Sequence, residues 1–526
     1  MTPVFDHPAA ALLHMAATIP DGEALAFPSA GGRRSFAQWA NEAGRLAGAL
    51  GALGLGKGEP VALLAENRLE WPVVQLACAL GGFLFVPLNT HYRAEDLAYA
   101  VAAAGARALL LSERFRSNAY LETVRSIRSR LPSLAHVVCL DGARDGALGY
   151  ADLIAGAIAP TSHEPFADVT GPAALLYTSG TTGLPKGALL SHRGMMMCAR
   201  GTAGRLAIRR GDRWTSLIPL FHCAGCILNI LGCVQTGATY VGLPGFAAEE
   251  LFAMIARERC TAISAVPTHY LAMLDHPARG RYDLSSLRAG TCGGADANPD
   301  VLRRCAEEFP MPGLAQVYGQ TESSTLITAA AHDDPDRFAT AGPPLPGYEM
   351  RIIDVATGAQ CPTGAIGEVQ GRGAMVMLGY HDNADATAET ITPDGWLRTG
   401  DLGLVTARGR LVISGGRLKD MIIRGGENIY PVEIENLLQQ HPAVAAVAVF
   451  GEPDEYYGEV VAAAVRLAAP VTAAELVAFV AERIARFKVP ARFYAVEALP
   501  TTPSGKVRKV ELRAMAKRGE LPELHM

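Results

Sequence analysis

The sequence predicts an α/β protein built on doubly wound parallel sheet, followed by a small antiparallel β element and a compact α+β domain. Three observations carry this expectation. With 526 residues the chain is too long for one hydrophobic core, so two or more domains or subdomains are expected. From Phe36 to Tyr318 short apolar strands alternate with helical stretches, the rhythm of βαβ units. From Gly342 the texture changes to short strands and turns.

Taken in order, the spacing of Phe36, Trp39, Ala43, Leu46 and Leu50 predicts a helix, which Gly54 to Gly58 ends before a strand at Val61 to Leu64. Trp71 to Leu88 holds no charged residue and is long enough to span a bilayer, but Pro72, Gln75, Gly81, Gly82 and Pro87 interrupt it. A buried helix running into a strand at Phe83 to Leu88 is expected instead. Helix Ala94 to Ala104, strand Ala108 to Leu111, a helix near Tyr120 to Leu131 and strand Val137 to Leu140 continue the alternation. Later strands fall at Ala262 to Val266, Leu287 to Cys292 and Leu314 to Tyr318, each followed by Pro or Gly. Ligands in open α/β sheets gather at such strand ends, so several of these could converge on one site.

Short strands at Met350 to Ile353, Gly367 to Gly371 and Leu411 to Ile413 suggest a small antiparallel barrel or sheet, with a boundary near Gly415-Gly416-Arg417. Beyond it come helix Pro431 to Gln440, strands Val444 to Phe450 and Val460 to Leu467, helix Thr472 to Phe487 with a Thr-x-x-Glu capping box, and strand Phe493 to Val496. These residues form an α+β domain of their own.

A 49% hydrophobic and 19% charged composition describes a soluble globular chain, and a net charge of −5 offers no footprint for nucleic acid. Ten cysteines scattered mostly through apolar segments predict buried thiols of a reducing compartment. No Lys or Arg precedes Arg33, so a basic secretory leader is missing and a cytoplasmic setting is expected, with no integral membrane segment.

The strongest local signal is Tyr177 to Gly187, which follows the apolar strand Pro172 to Tyr177. Its glycines allow close backbone approach to an anion, Thr178, Ser179, Thr181 and Thr182 supply donors, and Lys186 supplies a positive charge: a phosphate cradle. It is not the P-loop of kinases and ATPases, since five residues on from Gly180 stands Pro185 rather than Gly. Trp214 to Ala248 carries no Asp, Glu, Lys or Arg and must be buried or line an apolar cavity. Within it Cys223-Ala-Gly-Cys226 has C-x-x-C spacing, but no second pair completes a zinc site.

Six ordered motifs together resemble the adenylate-forming superfamily of acyl-CoA synthetases, nonribosomal adenylation domains and luciferases, and most closely its medium- and long-chain fatty-acyl-CoA ligases. They are Tyr177 to Gly187, Pro219 to Gly225, Tyr318 to Glu322, Trp396 to Asp401, Gly416 to Pro431 and Pro500 to Lys506, spread over about Ala24 to Ala516. The resemblance implies a large N-terminal domain of two doubly wound α/β subdomains plus a small β-barrel, residues 1–418, and a small mobile α+β C-terminal domain, residues 419–526, carrying a catalytic lysine. It also implies ATP-dependent activation of a carboxylic acid as acyl-AMP, then transfer to CoA. The alternatives are an acyl-AMP ligase loading an acyl carrier protein and a silent nucleotide-binding homologue; a homodimer stays open.

Residue by residue, the resemblance gives Thr178, Ser179, Gly180, Thr181, Thr182, Gly183 and Lys186 to the β- and γ-phosphates, and Glu322 with Thr178 to Mg²⁺. Gly293, Gly294, Ala295 and Tyr318 would form the adenine slot, although many relatives have Pro where Asp296 stands; Gly319, Gln320 and Thr321 would follow, with Thr321 at the α-phosphate. Asp401, assisted by Arg417, would hold the ribose. Lys506 would bridge the attacking carboxylate and the α-phosphate, Lys419 would be the hinge of domain rotation, and Gly425, Gly426 and Glu427 would line the pantetheine channel. His222 matches the gate between acyl pocket and thiol channel. Amino-acid-activating relatives place an Asp where His222 and Cys223 stand, so a neutral apolar acid is favoured, aliphatic of medium chain length or else cyclic or aromatic, with Cys223, Ala224, Gly225, Cys226, Val266, Cys292, Gly293 and Leu326 as candidate pocket walls.

Overall fold

The computed structural model describes residues 4–159, 168–178, 185–294, 297–417, 420–424, 427–501 and 507–524, with the backbone alone described at 30, 414–417, 423, 427 and 428. By its contacts the chain divides into two compact units, one of residues 1–349 with 371–397 and the other of residues 350–370 with 398–526.

The first unit holds two 8-stranded sheets. In the first sheet Pro60–Leu64 lies centrally, with parallel Leu84–Pro87 on one side and parallel Ala108–Leu111 on the other. His136–Cys139 extends the sheet beyond Ala108–Leu111, and Pro172–Thr178 extends it beyond Leu84–Pro87. The chain then turns back, so Lys186–Ser191 is antiparallel to Pro172–Thr178, and Gly379–Tyr380 caps that edge. In the second sheet Arg213–Ser216 has parallel Thr239–Val241 on one side and parallel Ala262–Ala265, Ala289–Cys292 and Gly313–Tyr318 in succession on the other. Strand order thus reverses beside the first strand of each run, the doubly wound topology that opens a crevice at the carboxyl edge.

Both windings follow from the apolar patterning. Ala108–Leu111 is buried at all four positions, as a strand covered by helices on both faces must be. Trp71–Leu88 divides as its glycines dictate: helix Glu70–Gly81 ends at Gly82, whose φ of +70° suits a residue without Cβ, and Leu84–Pro87 follows as a strand. At the amino edge of the second sheet, Asp212 accepts hydrogen bonds from Arg209 N–H at 2.8 Å and Thr261 Oγ1 at 2.9 Å, and pairs with Arg288. Among the described residues no helix is long and apolar enough to cross a membrane. All ten cysteines are free thiols and nine are buried.

In the second unit Asp401 and Arg417 are backbone partners across strands Leu397–Val405 and Leu411–Arg417, part of a 4-stranded sheet. Gly415-Gly416-Arg417 is therefore strand, because the antiparallel pairing continues through it. A 5-stranded sheet follows, in which Val444–Asp454 and Gly458–Leu467 form a long hairpin and Arg492–Ala495 adds a parallel edge. Helices Pro431–Leu438 and Ala473–Ala481 contribute to its core through Leu438, Leu476 and Val480. The second helix is shorter than expected and stops at Ala481; its capping box at Thr472 and Glu475 is formed.

Helix Pro8–Thr18 begins at His7, whose ring lies 4.0 Å from that of His192, centroid to centroid. Both rings are buried, and burial lowers His7 to about 3, reinforced by repulsion from His192, and His192 to about 4 against the opposing pull of Asp168. Each is neutral when folded but takes up a proton below about 6.5 when unfolded. The unfolded chain therefore binds more protons between about pH 6.5 and 4, and stability falls as pH drops through that window, by up to about 1.4 kcal/mol per pH unit and histidine. Urea unfolding of the parent and of His192→Asn across this range checks the expectation: the variant should lose stability less steeply, and an identical slope would rule out the buried imidazoles as the cause.

Candidate functional site

The carboxyl edge of the second sheet gathers the loops after Arg213–Ser216, Ala262–Ala265, Ala289–Cys292 and Gly313–Tyr318. The first loop carries His222 and Cys223. Asn67 Oδ1 accepts the Leu220 N–H at 2.7 Å and fixes the loop. Ala224–Leu231 then winds as a π-helix rather than an α-helix, and from Cys223 to Leu243 every residue except Thr236 is buried. Single π-turns concentrate at functional sites because the wider turn re-aims side chains.

The loop after Ala262–Ala265 starts at Val266, and the one after Ala289–Cys292 at Gly293. Gly294 has φ +83°, and a Cβ there would stand 3.5 Å from Val266 Cγ1, so these two strand ends adjoin. A Cβ on Gly293 would come within 2.6 Å of Val317 Cγ2, so only glycine lets the chain pass there.

After Tyr318 the chain makes a tight turn. A Cβ on Gly319 would sit 2.2 Å from Thr325 O, so the turn folds back on its own backbone. Ser324 and Thr325 close it with φ of 51° and 106°, strained values for residues carrying Cβ and side chains. The short helix Thr321–Ser323 points its first two side chains to different neighbours. Thr321 Oγ1 lies 3.6 Å from Cys223 Sγ, which is also 3.6 Å from His222 Nδ1. Burial pushes the Cys223 thiol up, but His222 and hydrogen bonds with His222, Thr321 and Thr325 outweigh it and hold the thiol below its ordinary value.

Glu322, by contrast, turns toward the edge of the first sheet. Its Oε1 accepts from Tyr380 Oη at 2.7 Å, and its backbone carbonyl accepts the Met377 N–H at 2.8 Å. Lys186 Nζ lies 5.2 Å from the centroid of the same Tyr380 ring. Thr178 Oγ1 donates to Lys186 O at 3.3 Å, which uses its proton and leaves its oxygen lone pairs available. Thus Thr178, Lys186 and Glu322, from two sheets, belong to one neighbourhood bridged by Tyr380, and Thr321 joins that neighbourhood to His222 and Cys223.

A nearly buried carboxylate with one oxygen already oriented, and a threonine oxygen with free lone pairs, are the hard oxygen donors that Mg²⁺ takes. In the second unit, Asp401 is buried in strand Leu397–Val405, and its N–H donates to Thr399 Oγ1 at 3.1 Å. Arg417 and Glu427 lie in described strands. Ser179, Gly180, Thr181, Thr182, Gly183, Ala295, Lys419, Gly425, Gly426 and Lys506 lie outside the described residues.

Tyr380 was not among the residues expected from sequence. It occupies a two-residue strand, and its partner Glu322 lies 58 positions away, so no local pattern marks it.

Two family descriptions match: "AMP-binding enzyme" over residues 12–381 and "AMP-binding enzyme C-terminal domain" over residues 433–506. YngI of Bacillus subtilis (strain 168) is 36% identical over 517 residues, covering 94% of this chain and 94% of YngI. Medium-chain acyl-CoA ligase ACSF2, mitochondrial, of Macaca fascicularis is 33% identical over 528 residues, covering 95% of this chain and 85% of that protein. The crystal structure of ATP-bound MatB from Rhodopseudomonas palustris is similar with a TM-score of 0.87 at 29% identity, covering 97% of this chain and 99% of MatB.

The turn at Gly319 is testable apart from any ligand. Gly319→Ala should cost about 2 kcal/mol or more through overpacking and cut turnover by displacing Thr321 and Glu322. Gly204→Ala, exposed in helix His192–Arg205 with nothing within 4 Å of its Cβ, should instead be neutral or stabilise by up to about 1 kcal/mol. Denaturant midpoints and turnover of the two variants give the comparison.

Proposed function

The chain belongs to the AMP-binding enzyme family and is an acyl-CoA ligase using ATP, Mg²⁺ and CoA, and on that footing we propose that the acid it activates is neutral and apolar, with a medium-length aliphatic chain. The observation that carries this is an uncharged, buried stretch at the carboxyl edge, which we take as the acyl lining: Cys223, Cys226 and Leu326 are buried, and 214–248 contains no charged side chain. Such a lining offers a second carboxylate or an α-amine no partner and would leave it desolvated and unpaired. The name of ACSF2, a medium-chain ligase, supports the chain length. The free, mostly buried thiols support a reducing compartment, and we place the enzyme in the cytoplasm.

The chemistry proceeds in two displacements. A carboxylate oxygen of the acid attacks the α-phosphorus of ATP, pyrophosphate leaves, and acyl-AMP forms. The thiol of CoA then attacks the acyl carbonyl and AMP leaves. Both steps concentrate negative charge, so fixed cations and donors dominate. We assign Lys186, with Thr178, Ser179, Gly180, Thr181, Thr182 and Gly183, to the departing pyrophosphate, and Thr321 to the α-phosphate. Thr178 and Glu322 are the donors assigned to Mg²⁺, which when bound neutralises phosphate charge. Gly293, Gly294, Ala295, Tyr318, Gly319 and Gln320 receive the adenine side of the nucleotide, and Asp401 with Arg417 receives the ribose.

Lys506 supplies the charge at the reacting carboxylate in the first displacement. Residues 419–526 then rotate about Lys419, withdrawing Lys506 and bringing Gly425, Gly426 and Glu427 to the thiol channel beside His222. The boundary at 418/419 is then a hinge, a division different in kind from that between compact units.

Two measurements test the proposal. Thioester formation from free CoA should be fastest with unbranched acids of about six to twelve carbons, as buried-methylene energetics reward length until the pocket floor is reached. It should be at least about 100-fold slower with dicarboxylic or amino acids of similar length, the scale of burying an unpaired charge. The reverse preference would overturn the substrate assignment. Lys506→Ala should abolish acyl-AMP formation yet spare thioester synthesis from supplied acyl-AMP; equal loss of both half-reactions would remove Lys506 from its role.

A further inference from the structure

Lys186 and Glu322 carry opposite charges in one neighbourhood, yet among the described residues no ion pair joins them. Tyr380 stands between. Its hydroxyl donates to Glu322 Oε1 at 2.7 Å, and its ring centroid lies 5.2 Å from Lys186 Nζ. A phenol suits this place because it is neutral: it gives a carboxylate a charge-assisted hydrogen bond at its edge and an ammonium an attractive π-face, without cancelling either charge. A direct lysine–carboxylate contact would satisfy both groups and would have to be broken whenever a metal–phosphate group bound.

Tyr380 is itself fixed. Its N–H donates to Thr387 Oγ1 at 2.8 Å, and its backbone pairs with Ala188, two residues beyond Lys186. Three residues earlier on the same segment, Met377 N–H holds the Glu322 carbonyl at 2.8 Å. The segment that carries the phenol therefore positions both main chain and side chain of Glu322, and lies in register with the strand carrying Lys186.

We propose that Tyr380 is a positioning residue that holds the metal-binding carboxylate of Glu322 and the pyrophosphate-binding ammonium of Lys186 apart, ready for magnesium–ATP. This rests on the proposed roles of Glu322 at the metal and Lys186 at the pyrophosphate. Glu322 keeps Oε2 for the metal while Oε1 stays on the phenol, and Lys186 exchanges a weak ring contact for a phosphate rather than abandoning a salt bridge.

The test measures binding as well as turnover. Calorimetric titration of the full chain with manganese–ATP, without acid or CoA, should give Tyr380→Phe an affinity about tenfold weaker, the scale of one hydrogen bond to a charged group. Binding of ATP in EDTA should change less than about twofold, since that bond acts through the metal ligand. In turnover, Tyr380→Phe should raise the Mg²⁺ concentration for half-activity by about the same tenfold while kcat at saturating Mg²⁺ stays within about threefold. Tyr380→Leu, lacking the ring contact that Lys186 gives up on binding, should leave ATP binding in EDTA unchanged or tighten it by up to about threefold, the worth of an exposed cation–π contact.

Glu322→Gln separates the inference from its premise. If Glu322→Gln weakens manganese–ATP and Tyr380→Phe adds less than about twofold to it, the two act as one unit and the proposal stands. If Glu322→Gln weakens binding but Tyr380→Phe alone does not, the proposal falls and the metal assignment survives. If Glu322→Gln binds manganese–ATP like the parent, the metal assignment falls and the proposal with it.

Discussion

Parallel strands can bring distant residues to one place only at their ends, and that constraint organises the larger unit. The winding reverses in both sheets, opening the carboxyl edges, and the candidate residues of the second sheet stand on the loops that follow its strands. The loops gain precision from what lies beneath them: Asn67 ties down the segment before His222, and Thr325 ties down the segment after Tyr318 through a backbone approach that tolerates only glycine at 319. Strain at Ser324 and Thr325 accompanies this precision and lies two to four residues from the candidate α-phosphate and metal contacts.

Charge is handled with similar economy. The ligase reaction handles a triphosphate, a carboxylate and a metal ion together, and a site filled with matched ion pairs would have to dissociate them at every turnover. Instead a neutral phenol contacts both the described cation and the carboxylate, and the stretch 214–248 carries no charged residue. Cys223 sits at the junction, its thiol facing both His222 and Thr321, so the buried apolar stretch meets the polar turn through one soft, polarizable atom.

Much of this was legible in sequence where local chemistry alone decides the outcome. Ala108 to Leu111 is a strand because four apolar residues follow a Gly-terminated helix, and the Thr472 capping box forms because Thr and Glu stand three apart. The stretch Tyr177 to Gly187, His222 and Glu322 stood out in the sequence because their motifs are contiguous. Tyr380 did not, since its meaning lies in partners on another strand and on the short helix Thr321–Ser323. The π-turn at Ala224–Leu231 was equally hidden, because a continuous apolar run has no period to distinguish one helical pitch from another. The strand through Gly415-Gly416-Arg417 was hidden too: glycines usually punctuate, but in this chain antiparallel pairing with the strand holding Asp401 carries the backbone through. Gly319 was assigned to the nucleotide, whereas the packing of its own turn already requires it.

Adenylation of the carboxylic acid, before any thiol is engaged, is the step on which the assigned roles of the nucleotide-side residues depend. Isotope exchange between pyrophosphate and ATP, measured without CoA, addresses it most directly, because exchange requires reversible acyl-AMP formation and nothing later. Exchange should depend on both Mg²⁺ and octanoate, and neither succinate nor an amino acid should support it. Octanoate-independent exchange, or none with any monocarboxylic acid, would contradict that mechanism.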